Sequence, residues 1–424
     1  ILNNTKIYIG VDFTKLIVLK IDGSDSSLLS VDVGFDITTT PVLRKISTSE
    51  YEVILGTETG EILIYSVDDI VANEPQLISV SEINPNVRIK KIAATDGYYS
   101  FIGKNTVNQE GGSYFFDSNG LEFQFNEGWL NDIVLTKNNG GEGVSIVSLQ
   151  NNNFYIINED GDFSSFQVET NFGIISIALA DLKQDGQNYI VYSDWKLYVR
   201  NLSGALADNF PFTDPEGIGF VGTPVTADFE GDGNSEIISI TKDGRIFAID
   251  GGTGKVVGGF PISTGAYVPV TPVLYNDKGK TNLAVLTNEG VFSAWSISSV
   301  EGKLYWAEEN GNSQNTSYIN AAENTNMINE FFPTDRAYNY PNPVYEGFTN
   351  IRYYVSEDSK INIKIFDLAG DFVAELNDDA TGGMDNETVW NVGDIQSGVY
   401  LTRIEAVSTS GNSEYAIIKI AVVK

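Results

Sequence analysis

The sequence predicts a nearly all-β chain, in which a seven-bladed β-propeller is followed by an immunoglobulin-like β-sandwich. Three observations support this fold class. A strand–turn–strand unit recurs at intervals of roughly 40 to 50 residues, no helical period is sustained over a long window, and the strand pattern changes near Tyr338. Because one repeat holds four short strands with their turns, each repeat is interpreted as one blade. Six or eight blades are the alternatives.

The repeats share a recognisable start and a hairpin. Residues 52–55 and 61–65, for example, are apolar strands joined by a turn at Gly60, where glycine permits a positive φ. Six starts are visible, at 40–43, 89–92, 132–135, 174–177, 223–226 and 271–274. A seventh copy, at 6–10 and 16–19, lacks its start. Because an incomplete blade leaves an exposed strand edge, we expect residues 303–306 to complete it and close the ring.

Composition excludes several kinds of chemistry. The 424-residue chain contains no cysteine and no histidine, which excludes thiolate nucleophiles, disulfides, histidine-bearing triads and the usual zinc, copper and haem sites. Its formal net charge of −31 argues against binding to nucleic acid or to an anionic membrane face. No apolar run approaches the roughly 20 residues that span a bilayer.

An acidic loop between two predicted strands is the strongest candidate site. Its pattern D-x-E-x-D-G-x-x-E can direct alternate carboxylates inward, and Ca²⁺ takes six to eight oxygen ligands. The loop resembles the calcium loops of integrin-α-like (FG-GAP) propeller repeats. That resemblance implies five ligand positions, Asp228, Glu230, Asp232, Asn234 and Glu236. Two interpretations stay open: a bound calcium ion that stiffens the loop, or an acidic hairpin turn without an ion.

The predicted ion is structural, and one site is expected. Protein oxygens would fill the coordination shell and leave no open position for a substrate. The preceding copy of the loop has Lys183 at the third ligand position, where an ammonium group would compete with the cation. Residues 246–250 and the glycine-rich turn after them also resemble the strand-and-turn signature of quinoprotein-like propellers.

The last part of the chain forms a separate predicted domain. Strands with period-two alternation at 349–355, 360–367, 398–404 and 415–420 indicate a small sandwich. This region resembles the type A C-terminal sorting domain of type IX secretion cargo, through residues 340–343, 366–370, Trp390, 397–400 and 419–424. The resemblance implies recognition by the type IX machinery, export across the outer membrane, and release or display at the cell surface. A plain adhesive or spacing sandwich is the alternative.

These observations predict three segments and one preferred function. The segments are a propeller at 1–307, a linker or ring-closing excursion at 308–337, and the sorting domain at 338–424. We expect a secreted or cell-surface, non-catalytic propeller that binds an extracellular protein or glycan, or copies of itself. The alternatives are a polysaccharide-active glycosidase or lyase that uses carboxylates or a Tyr/Lys base, and a repeating subunit of a surface lattice or filament. Two carboxyl groups about 5 to 10 Å apart in a cleft, with aromatic side chains for sugar stacking, would favour the enzyme. A solvated or plugged central channel with scattered charge would favour the binder.

Overall fold

The structure is a computed structural model that describes residues 6–22, 25–47, 50–72, 77–82, 86–107, 112–116, 121–125, 130–138, 141–149, 151–170, 176–183, 186–320, 331–334, 337–345, 347–382 and 384–424. The chain divides into two compact units. The first comprises residues 1–230 and 235–325, and the second comprises residues 326–424 with loop residues 231–234. The predicted domain boundaries at 307 and 337 stay predictions.

The described part of the first unit contains seven antiparallel sheets in chain order, which confirms the predicted seven blades. Blade 1 consists of β1 (Lys6–Asp12), β2 (Lys15–Asp22) and β3 (Asp25–Asp32). Blade 2 consists of β4 (Val42–Lys45), β5 (Tyr51–Gly56), β6 (Glu61–Ser66) and β7 (Leu77–Glu82). Blade 3 consists of β8 (Val87–Ala94), β9 (Tyr99–Asn105), β10 (Gly112–Phe116) and β11 (Leu121–Phe125). Blade 4 is β12 (Leu130–Lys137), β13 (Gly143–Leu149), β14 (Asn153–Asn158) and β15 (Phe163–Gln167). Blade 5 is β16 (Ala178–Ala180), β17 (Tyr189–Asp194) and β18 (Lys196–Asn201).

The last two blades complete the series. Blade 6 is β19 (Phe220–Asp228), β20 (Glu236–Thr241), β21 (Arg245–Asp250) and β22 (Ile262–Ser263), with β26 (Lys303–Trp306) added at its edge; blade 7 is β23 (Val273–Asp277), β24 (Lys280–Leu286) and β25 (Phe292–Ser296). One α-helix, α1 (Val67–Val71), lies among the described residues, directly after β6. Five predicted repeat starts lie at the first strands of blades 2, 3, 4, 6 and 7, whereas Ile174 and Ile175 of the remaining start lie outside the described residues.

Each hairpin follows from local sequence. In blade 2, β5 and β6 are rich in branched apolar residues, and Gly60 adopts φ 84° in the turn between them. A residue with a Cβ atom is disfavoured at this φ, so the glycine fixes the turn and hence the register that places Gly56 opposite Ile62. Both strands are largely buried because each blade is covered by its neighbours.

Consecutive blades pack through their faces. Leu16 and Val18 of β2 share a buried cluster with Val53 and Leu55 of β5, which joins blades 1 and 2. Further clusters join blades 2 and 3, blades 3 and 4, blades 4 to 6, and blades 6 and 7. At about 25 cal/mol per Å² of buried apolar surface, these interfaces supply the main stabilisation of the unit.

The first and last blades both expose large apolar side chains. Tyr8 in blade 1 is 54% exposed and Phe292 in blade 7 is 69% exposed. Among the described residues, no hydrophobic cluster joins blade 7 to blade 1. The blades are therefore held together by the interfaces between consecutive blades and by residues near the propeller axis.

A buried carboxylate links three blades. Asp132 in β12 of blade 4 accepts hydrogen bonds from Lys91 Nζ of blade 3 at 2.5 Å and from the backbone N–H of Ile177, next to blade 5, at 2.8 Å. The Asp132 side chain is 4% exposed, so each bond is made in a poorly solvated environment. Such charge-assisted bonds hold the relative positions of neighbouring sheets.

Strand β26 overturns the predicted ring closure. Residues 303–306 do not complete blade 1, which has three strands; β26 instead pairs antiparallel with β19 of blade 6, where Thr226 lies opposite Trp306. Trp306 is fully buried and belongs to the cluster that joins blades 4 to 6. Burial of this large indole side chain explains why the strand pairs there.

The second unit is a two-sheet sandwich, as the sequence predicted. One sheet has the order β27 (Tyr338–Tyr340), β28 (Phe348–Val355), β31 (Met384–Asn391), and the other has the order β30 (Phe372–Ala380), β29 (Ser359–Phe366), β32 (Gly398–Ser408), β33 (Ser413–Val422). Trp390 and Tyr400 pack edge to face in the core, with ring centroids 5.5 Å apart. Tyr353 belongs to the same buried core, and burial raises the pKa of its phenol to about 12.

We predict that Asp132→Asn lowers the free energy of unfolding by about 2–4 kcal/mol, because the substitution removes a charge that two neighbouring blades bind and leaves Lys91 without its counter-ion. Urea-induced unfolding followed by tryptophan fluorescence measures the effect. Asp162→Asn, at an exposed position of the same blade, is the control and should change stability by less than about 0.5 kcal/mol. Equal stability of the two variants would contradict the proposed role of Asp132.

Candidate functional site

The acidic loop lies at one end of the blade 6 sheet. β19 ends at Asp228, β20 begins at Glu236 and β21 ends at Asp250. In the register of this sheet, Glu236 lies opposite both Ala227 and Asp250. Three carboxylates therefore come from adjacent strand ends, and the loop of residues 229–235 closes over the same end.

Four carboxylates meet there. One oxygen each from Glu230, Asp232, Glu236 and Asp250 lies within 4.8 Å of the others. Three of these residues were among the five that the sequence indicated. Asp250 was missed because it is distant in sequence, although the strand signature that ends at this residue could have drawn attention to it.

The other two predicted ligands lie next to this group. Asp228 precedes the loop, and its charge contributes to the raised pKa of Glu236. Asn234 donates its backbone N–H to Asp232 Oδ1 at 2.8 Å, which orders the turn. In the earlier copy of the loop, Gln184 and Asp185 lie outside the described residues.

Glu236 has the most unfavourable environment of the group. Burial, followed by the charges of Glu230, Asp228 and Asp250, raises the pKa of its carboxyl group well above the ordinary value. Its Oε2 atom accepts hydrogen bonds from the backbone N–H groups of Phe229 at 2.8 Å and Glu230 at 3.2 Å. Its Oε1 atom is buried and accepts no hydrogen bond.

The arrangement suits a hard cation. A buried carboxylate oxygen without a donor is costly, and a cation would satisfy it while it cancels the repulsion between the four acids. All four side-chain atoms that would ligate the ion are carboxylate oxygens, and oxygen is the ligand that Ca²⁺ prefers. The donor set thus fits the ion that the sequence motif indicates.

A second feature of the first unit is the central segment, defined as residues 303–320. Its backbone oxygens at Gln314, Thr316 and Ser317 accept hydrogen bonds from the first strands of blades 2, 3 and 4, at 2.9, 2.8 and 2.8 Å. Ala307 O accepts from the first strand of blade 7 at 2.8 Å, and β26 pairs with the first strand of blade 6. The central segment thus contacts the first strands of five blades.

These contacts place the chain's own backbone at the propeller axis, since the first strand of a blade lies nearest to that axis. Ser317 is fully buried there and has a positive φ of 48°. Thr136 of blade 4 adds a side-chain hydrogen bond to Ile319 O at 3.1 Å. The central segment therefore lies along the propeller axis.

Comparison with known proteins identifies the end of the chain. Residues 339–419 match the family model of the secretion system C-terminal sorting domain. This match includes most of the sandwich and confirms the predicted sorting domain. The protein is therefore exported by type IX secretion and is secreted or located at the outer cell surface.

Among solved structures, the chain is similar to PorZ, described as an essential bacterial surface component of the type-IX secretion system of human oral-microbiomic Porphyromonas gingivalis. PorZ has 14% sequence identity and a TM-score of 0.46, over 100% of this chain and 59% of the PorZ chain, so this chain spans less than two thirds of the PorZ length. BBS1N, in complex with ARL6DN, has 9% identity and a TM-score of 0.45, over 69% of this chain and 91% of that chain.

No curated protein matches this chain. Within the described residues, no helix has both the length and the apolar character needed to cross a membrane.

We predict that Ser317→Val lowers the free energy of unfolding by about 2–4 kcal/mol, because a β-branched residue is strained at positive φ and the added methyl groups lack space. Ser317→Gly, which tolerates this φ, should remain within about 1 kcal/mol of the unchanged protein. Urea unfolding distinguishes the two variants. Similar losses in both would show that the conformation at Ser317 does not matter.

Proposed function

We propose that this protein is a non-catalytic propeller that is exported to the cell surface and binds an extracellular protein, a glycan or further copies of itself through its blade faces and loops. The observation that supports this proposal is the central segment, which fills the axis with backbone that bonds to five blades. An enzyme that used the propeller channel would need an open cleft in which catalytic groups reach substrate. The blade faces and loops remain available for recognition.

The acidic loop has a structural part in this proposal. It binds one calcium ion through Glu230, Asp232 and Glu236, with Asp250 as an additional ligand from β21, and Asp228 and Asn234 support the loop. The ion stabilises the end of the blade 6 sheet, because it neutralises carboxylates that otherwise repel one another. Glu236 Oε1, buried without a hydrogen bond, supports this assignment.

We predict that the purified full chain does not cleave polysaccharides. Reducing-end release and the ultraviolet absorbance of unsaturated products measure hydrolase and lyase activity across a panel of acidic and neutral glycans. Turnover that disappears when a single carboxylate is substituted would contradict the proposal.

Sedimentation over a hundredfold range of protein concentration then separates the two modes of binding. A constant monomer favours a different molecule as the partner, whereas a reversible increase in oligomer size favours copies of the same chain.

For the calcium site, we predict that chelation lowers the melting temperature and that Ca²⁺ restores it. Ligand linkage gives about 2.7 kcal/mol of stabilisation at a hundredfold excess over Kd. Asp232→Ala and Glu236→Gln should abolish this response, whereas Asp162→Asn should retain it. Mg²⁺, which demands octahedral geometry, should stabilise less. Identical melting of the unchanged protein with and without calcium would eliminate the assignment.

A further inference from the structure

A cavity of about 380 Å³ opens between blades 5, 6 and 7 of the first unit. It is lined by the β17–β18 turn, by the first residues of β19, by the end of β20 with Lys242 after it, by the segment that precedes β23, and by Glu309 of the central segment. Neither the acidic loop nor the sorting domain contributes to it. Its charged lining residues are Asp194, Lys242 and Glu309, so the lining has one net negative charge.

Hydrogen-bond acceptors dominate one wall of the cavity. Thr223 donates its hydroxyl to Glu309 Oε1 at 3.4 Å, and Thr271 donates its hydroxyl to Glu309 Oε2. Each hydroxyl has a single proton, which it donates to Glu309. The two threonines and Glu309 therefore present lone pairs to a ligand, and these lone pairs accept hydrogen bonds. Both threonines come from the Thr-Pro starts of their repeats, and the fold brings them to one carboxylate.

Asp194 supplies a second carboxylate. It lies at the end of β17 and is 3% exposed, although it lines the cavity. A carboxylate accepts hydrogen bonds and cannot donate them when ionised. The cavity therefore favours a ligand that is rich in donors and carries positive charge.

An aromatic wall already faces a cation. Lys242 Nζ lies 5.0 Å from the ring centroid of Trp195. Trp195 has a positive φ of 63°, and its indole ring packs against Gly219, where a Cβ atom would come within 2.4 Å of the ring. Tyr267, which is 42% exposed, adds a second aromatic side chain. This wall is suited to cation–π contacts.

We propose that this cavity receives an arginine or lysine side chain of an extracellular partner protein, an inference that rests on the proposed binding function. A guanidinium group has five donors and no acceptor, which matches the Glu309 carboxylate and the two threonine hydroxyls beside it. Its flat face can stack on Trp195 or Tyr267. The net charge of −31 of the whole chain draws a basic segment toward this surface.

Lys242 has an opposing role in this arrangement. Its ammonium group competes for the face of Trp195 and repels an incoming cation. Removal of this charge should therefore strengthen binding, whereas removal of the Glu309 charge should weaken it. These opposite signs distinguish a basic ligand from a neutral one.

The test measures, by calorimetric titration of the full chain, the affinity for the peptide acetyl-Gly-Arg-Gly-amide at low and at high salt. The same peptide with citrulline in place of arginine is the neutral isostere. We expect Glu309→Gln to weaken binding of the arginine peptide about tenfold and Lys242→Met to strengthen it severalfold. Asp208→Asn, an exposed blade 5 acid outside the cavity, should leave the affinity unchanged. The citrulline peptide should bind at least tenfold more weakly, and high salt should weaken only the arginine peptide.

Equal binding of the arginine and citrulline peptides would overturn the inference, as would weaker binding by Lys242→Met. If Glu309→Gln alters the melting temperature, the affinity of Lys242→Met for the arginine peptide and the salt dependence of binding decide the outcome instead. Binding of a neutral saccharide without binding of the arginine peptide would overturn the basic side chain as ligand and leave the proposed binding function intact. Polysaccharide turnover would instead overturn the proposed function itself.

Discussion

Backbone hydrogen bonding near the propeller axis constrains the first unit more than any single side chain does. The first strand of each blade is a sheet edge, and unpaired N–H and C=O groups at an edge must find partners or water. Residues 303–320 meet this need for five blades, through β26 at blade 6 and through single bonds at blades 2, 3, 4 and 7. The same bonds place the central segment at the axis, so the stability of the blade array and the proposed location of recognition outside the channel have one origin.

Charge distribution divides the remaining surface into different roles. At one end of blade 6, four carboxylates converge around a buried oxygen of Glu236, which favours a small hard cation. In the cavity of blades 5 to 7, two carboxylates combine with aromatic rings and one ammonium group, which favours a larger organic cation. Both sites use the acidic character of the chain, and they differ in how much water and space surround the acids.

The second unit gives the chain its destination. Its sandwich core, with Trp390 against Tyr400, is ordinary β packing, and the match over residues 339–419 assigns the export role. Export places the acidic propeller outside the cell or at its outer surface. Location, surface charge and a filled axis together support recognition at the cell surface.

The sequence by itself determined the repeating strand–turn–strand units, the sandwich and three of the four clustered carboxylates, and it favoured seven blades over six or eight. These features depend on local alternation and glycine turns, which a single stretch of chain encodes. Strand β30 was not anticipated, because its exposed acidic residues mask the alternation. Only the tertiary structure decided that β26 pairs with blade 6, that Asp250 joins the acidic loop, and that Thr223, Thr271 and Glu309 meet. All of these contacts join segments that are distant in sequence. β26 and Asp250 are positioned by backbone pairing, and backbone groups are the same in every residue except proline. The threonine contacts with Glu309 are made by side chains that only the arrangement of the blades brings together.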